Sequence, residues 1–104
     1  MAIRIELRHV EAFLALARAL HFSRAARALN VSQPALSRTI GTLEDSIGVP
    51  LFVRTTRQVD LTEAGRAFML SAPSILEALQ KSVADARRAA AGETGRLAVG
   101  YMDF

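Results

Sequence analysis

The 104-residue chain has no cysteine, which excludes disulfides, a thiolate metal site and a cysteine nucleophile. Its two histidines, His9 and His21, have no cysteine to join them, so no metal centre is expected. Glycine-rich phosphate loops are missing. Charges interrupt every long apolar run, so nothing approaches the roughly 18 apolar residues of a membrane-spanning helix. The opening Met1-Ala2-Ile3-Arg4-Ile5-Glu6 has no apolar h-region and is not expected to be a secretory signal. Ser23, Ser32 and Ser37 have no His–Asp arrangement nearby, and Glu44-Asp45 reads as a solvated acidic pair. No catalytic residue and no enzyme are therefore expected. What is left is a small cytoplasmic chain with room for one domain and an appendage.

What is present is more specific. Residues 22–48 read as a helix, a turn of about three residues at Leu29-Asn30-Val31, and a second helix. Ser23 is a good N-cap for the first helix, and Ser32 followed by Gln33-Pro34 is a good opening for the second. On the second helix Leu36, Ile40, Leu43 and Ile47 form one apolar stripe. Opposite lie Pro34, Ser37, Arg38 and Gly41, with Gln33 at the edge near the N-terminus. These residues are short or planar, so such a helix could sit deep in a DNA groove. Gln pairs with adenine, Arg with guanine, and Ser with either base or phosphate. The net charge of +3 is modest but uneven. Between residues 18 and 57 six arginines (18, 24, 27, 38, 54, 57) stand against Glu44 and Asp45, a local balance of +4. That is the footprint of a polyanion partner.

Before this unit, Val10, Phe13, Leu14 and Ala17 give an amphipathic helix from about Leu7 to Leu20, completing a three-helix core. After it, Gly48 and Pro50 stop the second helix. Leu51–Arg54 and Gln58–Leu61 then read as two short strands around Thr55-Thr56-Arg57, a wing presenting Arg54 and Arg57. Thr62 caps a long helix from Glu63 to about Ala91. Its seam of Phe68, Ala72, Ile75, Leu79, Val83, Ala86 and Ala90 repeats nearly every 3.5 residues. At roughly 40 Å this helix is too long for a small core to cover, so a second copy is its expected partner. Pro73 predicts a kink near Ser71-Ala72, with two separate helices as the alternative. Gly92 and Gly95 are expected to end the helix, and Arg96–Tyr101 alternates like a strand. The expected fold is mainly α, a winged helix-turn-helix over residues 1–62, then a linker and dimerisation helix over 63–91. Residues 92–104 read as a hinge and the first strand of a further domain.

The run from Phe22-Ser23-Arg24-Ala25-Ala26 through Leu29-Asn30-Val31-Ser32-Gln33-Pro34-Ala35-Leu36-Ser37-Arg38, Leu51-Phe52-Val53-Arg54 and Leu61-Thr62-Glu63-Ala64-Gly65 resembles the DNA-binding region of LysR-type transcriptional regulators. The likeness covers roughly residues 7–100. It implies a sequence-specific regulator that binds double-stranded DNA at an interrupted palindrome, as a homodimer through residues 63–91 or a tetramer. It also implies a C-terminal domain that binds a small-molecule effector, with no cofactor in this portion. Gln33, Pro34, Ser37 and Arg38 match the family's groove-reading positions, and Arg54 and Arg57 its wing arginines. Ser23, Arg24, Ser32 and Thr55 complete the expected DNA-binding set. Phe68, Ala72, Ile75, Leu79, Val83 and Ala86 form the expected dimer seam. Two departures stand out: Ala35 takes the place of a second proline, and Pro73 interrupts the linker. A cytoplasmic, nucleoid-associated location follows. Another winged-helix repressor and a helical protein–protein dimerisation module remain open as alternatives.

Overall fold

The computed structural model describes residues 3–96, and for 93–96 the backbone alone. Its elements are α1 (Leu7–Ala19), α2 (Phe22–Ala28), α3 (Gln33–Ile47), β1 (Phe52–Arg54), β2 (Val59–Leu61) and α4 (Glu63–Arg96). The chain divides after Pro73 into two units.

In the first unit, α1 begins at Glu6, whose backbone N–H donates to Nδ1 of the buried His9 at 2.9 Å. It ends at Leu20, a left-handed residue at φ 49° whose amide returns to Leu16. The reversal costs only Leu20 and His21 before α2 starts. Asn30, also left-handed at φ 59°, turns the chain from α2 towards α3; asparagine tolerates that conformation better than most residues. Gly48 closes α3 at φ 95°, where a side chain would be strained.

Each helix buries one face. Val10, Phe13, Leu14 and Leu16 from α1, Ala25 and Ala26 from α2, and Leu36, Ile40 and Leu43 from α3 form the core. Leu51 and Phe52 extend it under the hairpin. Phe13 sits at the centre, 5.4 Å from the Phe52 ring and edge-on to Phe68 at 4.8 Å, both favourable aromatic geometries. The hairpin is antiparallel with Phe52 opposite Leu61, Val53 opposite Asp60 and Arg54 opposite Val59.

Thr62 joins the hairpin to α4. Its hydroxyl accepts from the Gly65 amide at 2.9 Å and donates to the Pro50 carbonyl at 2.8 Å, while its own amide donates to Leu51. The backbone of Gly65 therefore lies against Leu51. A Cβ there would overlap the Leu51 carbonyl oxygen and meet Leu61 Cδ2 at 2.9 Å.

As a single element at Pro73 α4 meets expectation, and at its C-terminal end it departs from it. It passes through Pro73 as one continuous element, so the two-helix alternative fails. It also continues to Arg96, with Gly92 and Gly95 inside it. Glycine lowers helix propensity by only about 1 kcal/mol, which the alanine- and arginine-rich flanks offset. The strand expected over 96–101 lies outside the described residues, apart from Arg96, which is helical.

Candidate nucleic-acid interface

The N-terminal half of α3 is presented outward by its own caps. Ser32 Oγ accepts from the Ala35 amide at 3.1 Å, and Pro34 lies in the first turn, where no intrahelical amide bond is lost. With Leu36, Ile40 and Leu43 fully inside, Gln33, Pro34 and Arg38 are exposed and Ser37 is half-buried. Thr39 and Thr42 donate to the carbonyls of Ala35 and Arg38, both at 3.0 Å, and so fold their hydroxyls back onto the helix. Glu44, three turns along, leaves the face free of acid near its tip.

The start of α2 is capped differently from expectation. His21, not Ser23, is the N-cap: its Nδ1 accepts from the Arg24 amide at 3.2 Å. The abrupt end of α1 at Leu20 makes Phe22 the first helical residue, so Ser23 falls inside the first turn. Its hydroxyl lies 3.1 Å from the same His21 nitrogen. Arg24 and Arg27 project outward from α2.

Two wing residues also do more inside the chain than their sequence suggests. Thr55 Oγ1 accepts from the amides of Arg57 and Gln58 (3.3 and 3.0 Å), and its amide donates to the Gln58 carbonyl at 2.9 Å. It builds the tip that exposes Arg57. Arg54 turns back over the domain. Its guanidinium stands 4.8 Å above the Phe22 ring, donates through Nη1 to Ser37 Oγ at 3.4 Å, and pairs through Nη2 with Glu44 at 3.6 Å.

Glu44 is consequently no solvated acid. Its side chain is only 16% exposed, and Oε2 accepts from the amides of Leu51 and Phe52 at 2.7 and 3.1 Å. One carboxylate thus satisfies the backbone donors where α3 hands over to the wing, and also faces Arg54. A spacing of seven to ten residues around a turn carries no periodic signal, which is why the sequence hid this cluster.

The electrostatic result is selective. Among the described residues Arg24, Arg27, Arg38 and Arg57 form no ion pair, as is true of Arg4, Arg18 and Arg87, whereas Arg8, Arg54, Arg66 and Arg88 each have a carboxylate partner. Of the unpaired cations, Arg24, Arg27, Arg38 and Arg57 lie on α2, on α3 and at the wing tip, where attraction for polyanionic backbone is undiminished. No group of three or more His, Cys, Asp or Glu side chains suited to a metal lies among the described residues, and none of their helices is long and apolar enough to cross a membrane.

The expected dimer seam separates into two parts. Phe68 packs on Phe13 and Ala72 is fully buried, so both belong to the core of the first unit. Ile75, Leu79 and Val83 remain 49, 42 and 40% exposed, and Ala86 is exposed as well. Regular spacing could not show that one end of the seam is already covered by its own domain.

The profile of the bacterial regulatory helix-turn-helix proteins of the lysR family matches residues 7–66. The transcriptional regulator BudR of Klebsiella aerogenes is 49% identical over 92% of this chain and 67% of its own length. AlsR of Bacillus subtilis is 44% identical over 94% of this chain, but only 32% of its own length is covered. The structure resembles the CbnR DNA-binding domain in its DNA complex, with 41% identity and a TM-score of 0.79 over 83% of this chain and 99% of that one. The BenM DNA-binding domain bound to benA site 1 DNA gives 36% identity and a TM-score of 0.79, over 85% and 99% of the two chains.

Proposed function

The chain belongs to the lysR family of bacterial regulatory helix-turn-helix proteins, as the DNA-binding domain of a transcriptional regulator, and from that premise we propose a division of labour among its residues. Gln33, Pro34, Ser37 and Arg38 read base edges in the major groove. Arg57 meets phosphate or the minor groove, and Arg24, with Ser23 and Ser32 at the helix starts, lies along the backbone. The observation that carries this reading is the first half of α3: an exposed polar face with an unpaired arginine, beside further unpaired arginines on α2 and the wing. That the similar CbnR and BenM domains were solved on DNA supports DNA as the partner.

Ile75, Leu79, Val83 and Ala86 join two copies in an isologous homodimer. Two reading helices then address an interrupted palindrome with half-sites about one or two helical turns apart. Because the chain spans about a third of AlsR, effector binding and assembly to a tetramer are assigned to further sequence of the whole regulator, acting in the cytoplasm.

Binding to an operator selected from randomised DNA tests the assignment. Arg38→Ala should cost about 1–3 kcal/mol of specific affinity and leave the thermal midpoint unchanged, since Arg38 lies opposite the Leu36–Leu43 stripe. Wild-type affinity in that variant would remove α3 as the reader.

A further inference from the structure

Arg54 is the odd member of the basic set. On sequence it is a wing cation, yet its guanidinium is held on three sides, by the Phe22 ring, the Glu44 carboxylate and the Ser37 hydroxyl. Glu44 is itself anchored by the amides of Leu51 and Phe52, so the arginine is aimed from a fixed base. Arginine can only donate. Its bond to Ser37 therefore occupies a lone pair of that oxygen and leaves the hydroxyl hydrogen to find another acceptor. Thr39 and Thr42 on the same helix, and Ser82 on α4, give their hydrogens to the carbonyl four residues back. Ser37 does not, and among the described residues its hydroxyl has no acceptor.

We propose that Arg54 is a positioning residue that fixes the polarity of Ser37, making this serine a donor to the groove. Serine is ordinarily ambiguous, able to donate or accept. With one lone pair engaged and its hydrogen unspent, Ser37 seeks an acceptor edge: N7 or O6 of guanine, N7 of adenine, or O4 of thymine. The N4 amino group of cytosine is disfavoured, because it could use only the remaining lone pair and would leave the hydroxyl hydrogen without an acceptor. Arg54 itself makes no phosphate contact, because Glu44 already neutralises it. The inference rests on the reading of α3 given above and adds the direction of one hydrogen bond.

The test is a set of affinities for operators carrying each base pair at the position where Ser37→Ala erases the wild-type preference, measured with the full chain. Wild type should favour guanine or thymine over cytosine there by several-fold to about tenfold, the scale of one hydrogen bond gained or left unmade. Arg54→Met keeps an aliphatic stem over Phe22 but removes every donor. It should lose most of that preference while the salt dependence of binding stays as in wild type. Ser37→Ala combined with Arg54→Met should discriminate no less than Ser37→Ala alone. Arg54→Lys restores a cation and a donor without the planar fork, should keep part of the preference, and serves if the methionine variant melts early. A preference undiminished in both Arg54 variants would overturn the proposal and leave the reading of α3 standing. A salt slope lowered by about one unit would also overturn it, by showing that Arg54 meets phosphate. If Ser37→Ala erases no preference at any position, the reading role of Ser37 fails and the proposal with it.

Discussion

The two units of this chain differ in what they bury. Up to Pro73 a core closes around Phe13, Ile40 and Leu43, all fully buried, although Ile3, Val53 and Leu70 stay exposed, and Arg24, Arg27, Arg38 and Arg57 form no ion pair among the described residues. Along residues 74–92 no side chain is buried. Asp85 gathers both Lys81 and Arg88 along the helix, and Ile75, Leu79 and Val83 stand exposed. Burying apolar surface is worth about 25 cal/mol per Å², whereas an exposed helical ion pair contributes only about 0.3–0.5 kcal/mol. The first region has an apolar core of its own, and its unpaired arginines suit an anionic partner. The second is not stabilised by its own charges and asks for another apolar surface.

The severest way to break this contrast is to charge the distal seam. Leu79→Asp would place a carboxylate in an isologous interface twice, once from each copy, and an unpaired buried charge is strongly unfavourable. Monomers are expected in sedimentation, with the thermal unfolding of the first unit unaltered. An intact dimer would mean that the exposed stripe serves something else. Gly65→Ala attacks the other side. Its methyl group meets the Leu51 carbonyl, a backbone atom that cannot rotate away, so a loss of about 3 kcal/mol or more is expected in chemical denaturation. An effect under about 0.5 kcal/mol would show that the hairpin is not held against α4 as described.

Finer changes sharpen the comparison. Arg57→Ala removes one of the unpaired cations, and the slope of log affinity against log salt should fall by about one unit for specific and non-specific DNA alike. An unchanged slope would place the wing tip off the DNA. Smallest is the pair at the start of α1, where Arg8 Nε donates to Glu6 at 2.8 Å. That hydrogen bond and the arginine's charge hold the Glu6 carboxyl below its ordinary pKa. A depressed carboxylate pKa stabilises the fold above the unfolded value and loses that contribution as pH falls through the folded one. In Arg8→Ala the Glu6 titration followed by NMR should move upward; no movement would assign the depression to another cause. Both side chains are largely exposed, so little stability should change.

Much of the architecture was legible because its signals are local. The Leu36–Ile40–Leu43 stripe, the Ser32 cap, the Gly48 stop and the two strand runs each declare themselves within a few residues. Misreadings occurred where a choice is made across distance. Ser23 and His21 can both cap, and the left-handed turn at Leu20 decided between them. Phe68 and Ala72 share a spacing with Leu79 but meet Phe13 and the core of their own unit. The linkage of Glu44, Arg54, Phe22 and Ser37 joins three elements, and no period runs through it. Gly92 and Gly95 read as stops because glycine usually is one near a helix end, although nothing here forces the chain to turn.

The caps and the buried stripe of α3 also bear on how such a surface can change over generations. Gln33, Pro34 and Arg38 are exposed, and the helix that carries them is held by Ser32 on one side and by Leu36, Ile40 and Leu43 on the other. If they read DNA as proposed, substituting them alters what is recognised and leaves the folding free energy nearly untouched, so operator preference can drift without passing through unstable intermediates. Ser37 lacks that freedom. Its oxygen is shared with Arg54, and through Arg54 with Glu44 and the wing, so a new residue there must be accommodated by three others. Of the four positions proposed to read DNA, three are free of side-chain ties to the scaffold and one is bound to it.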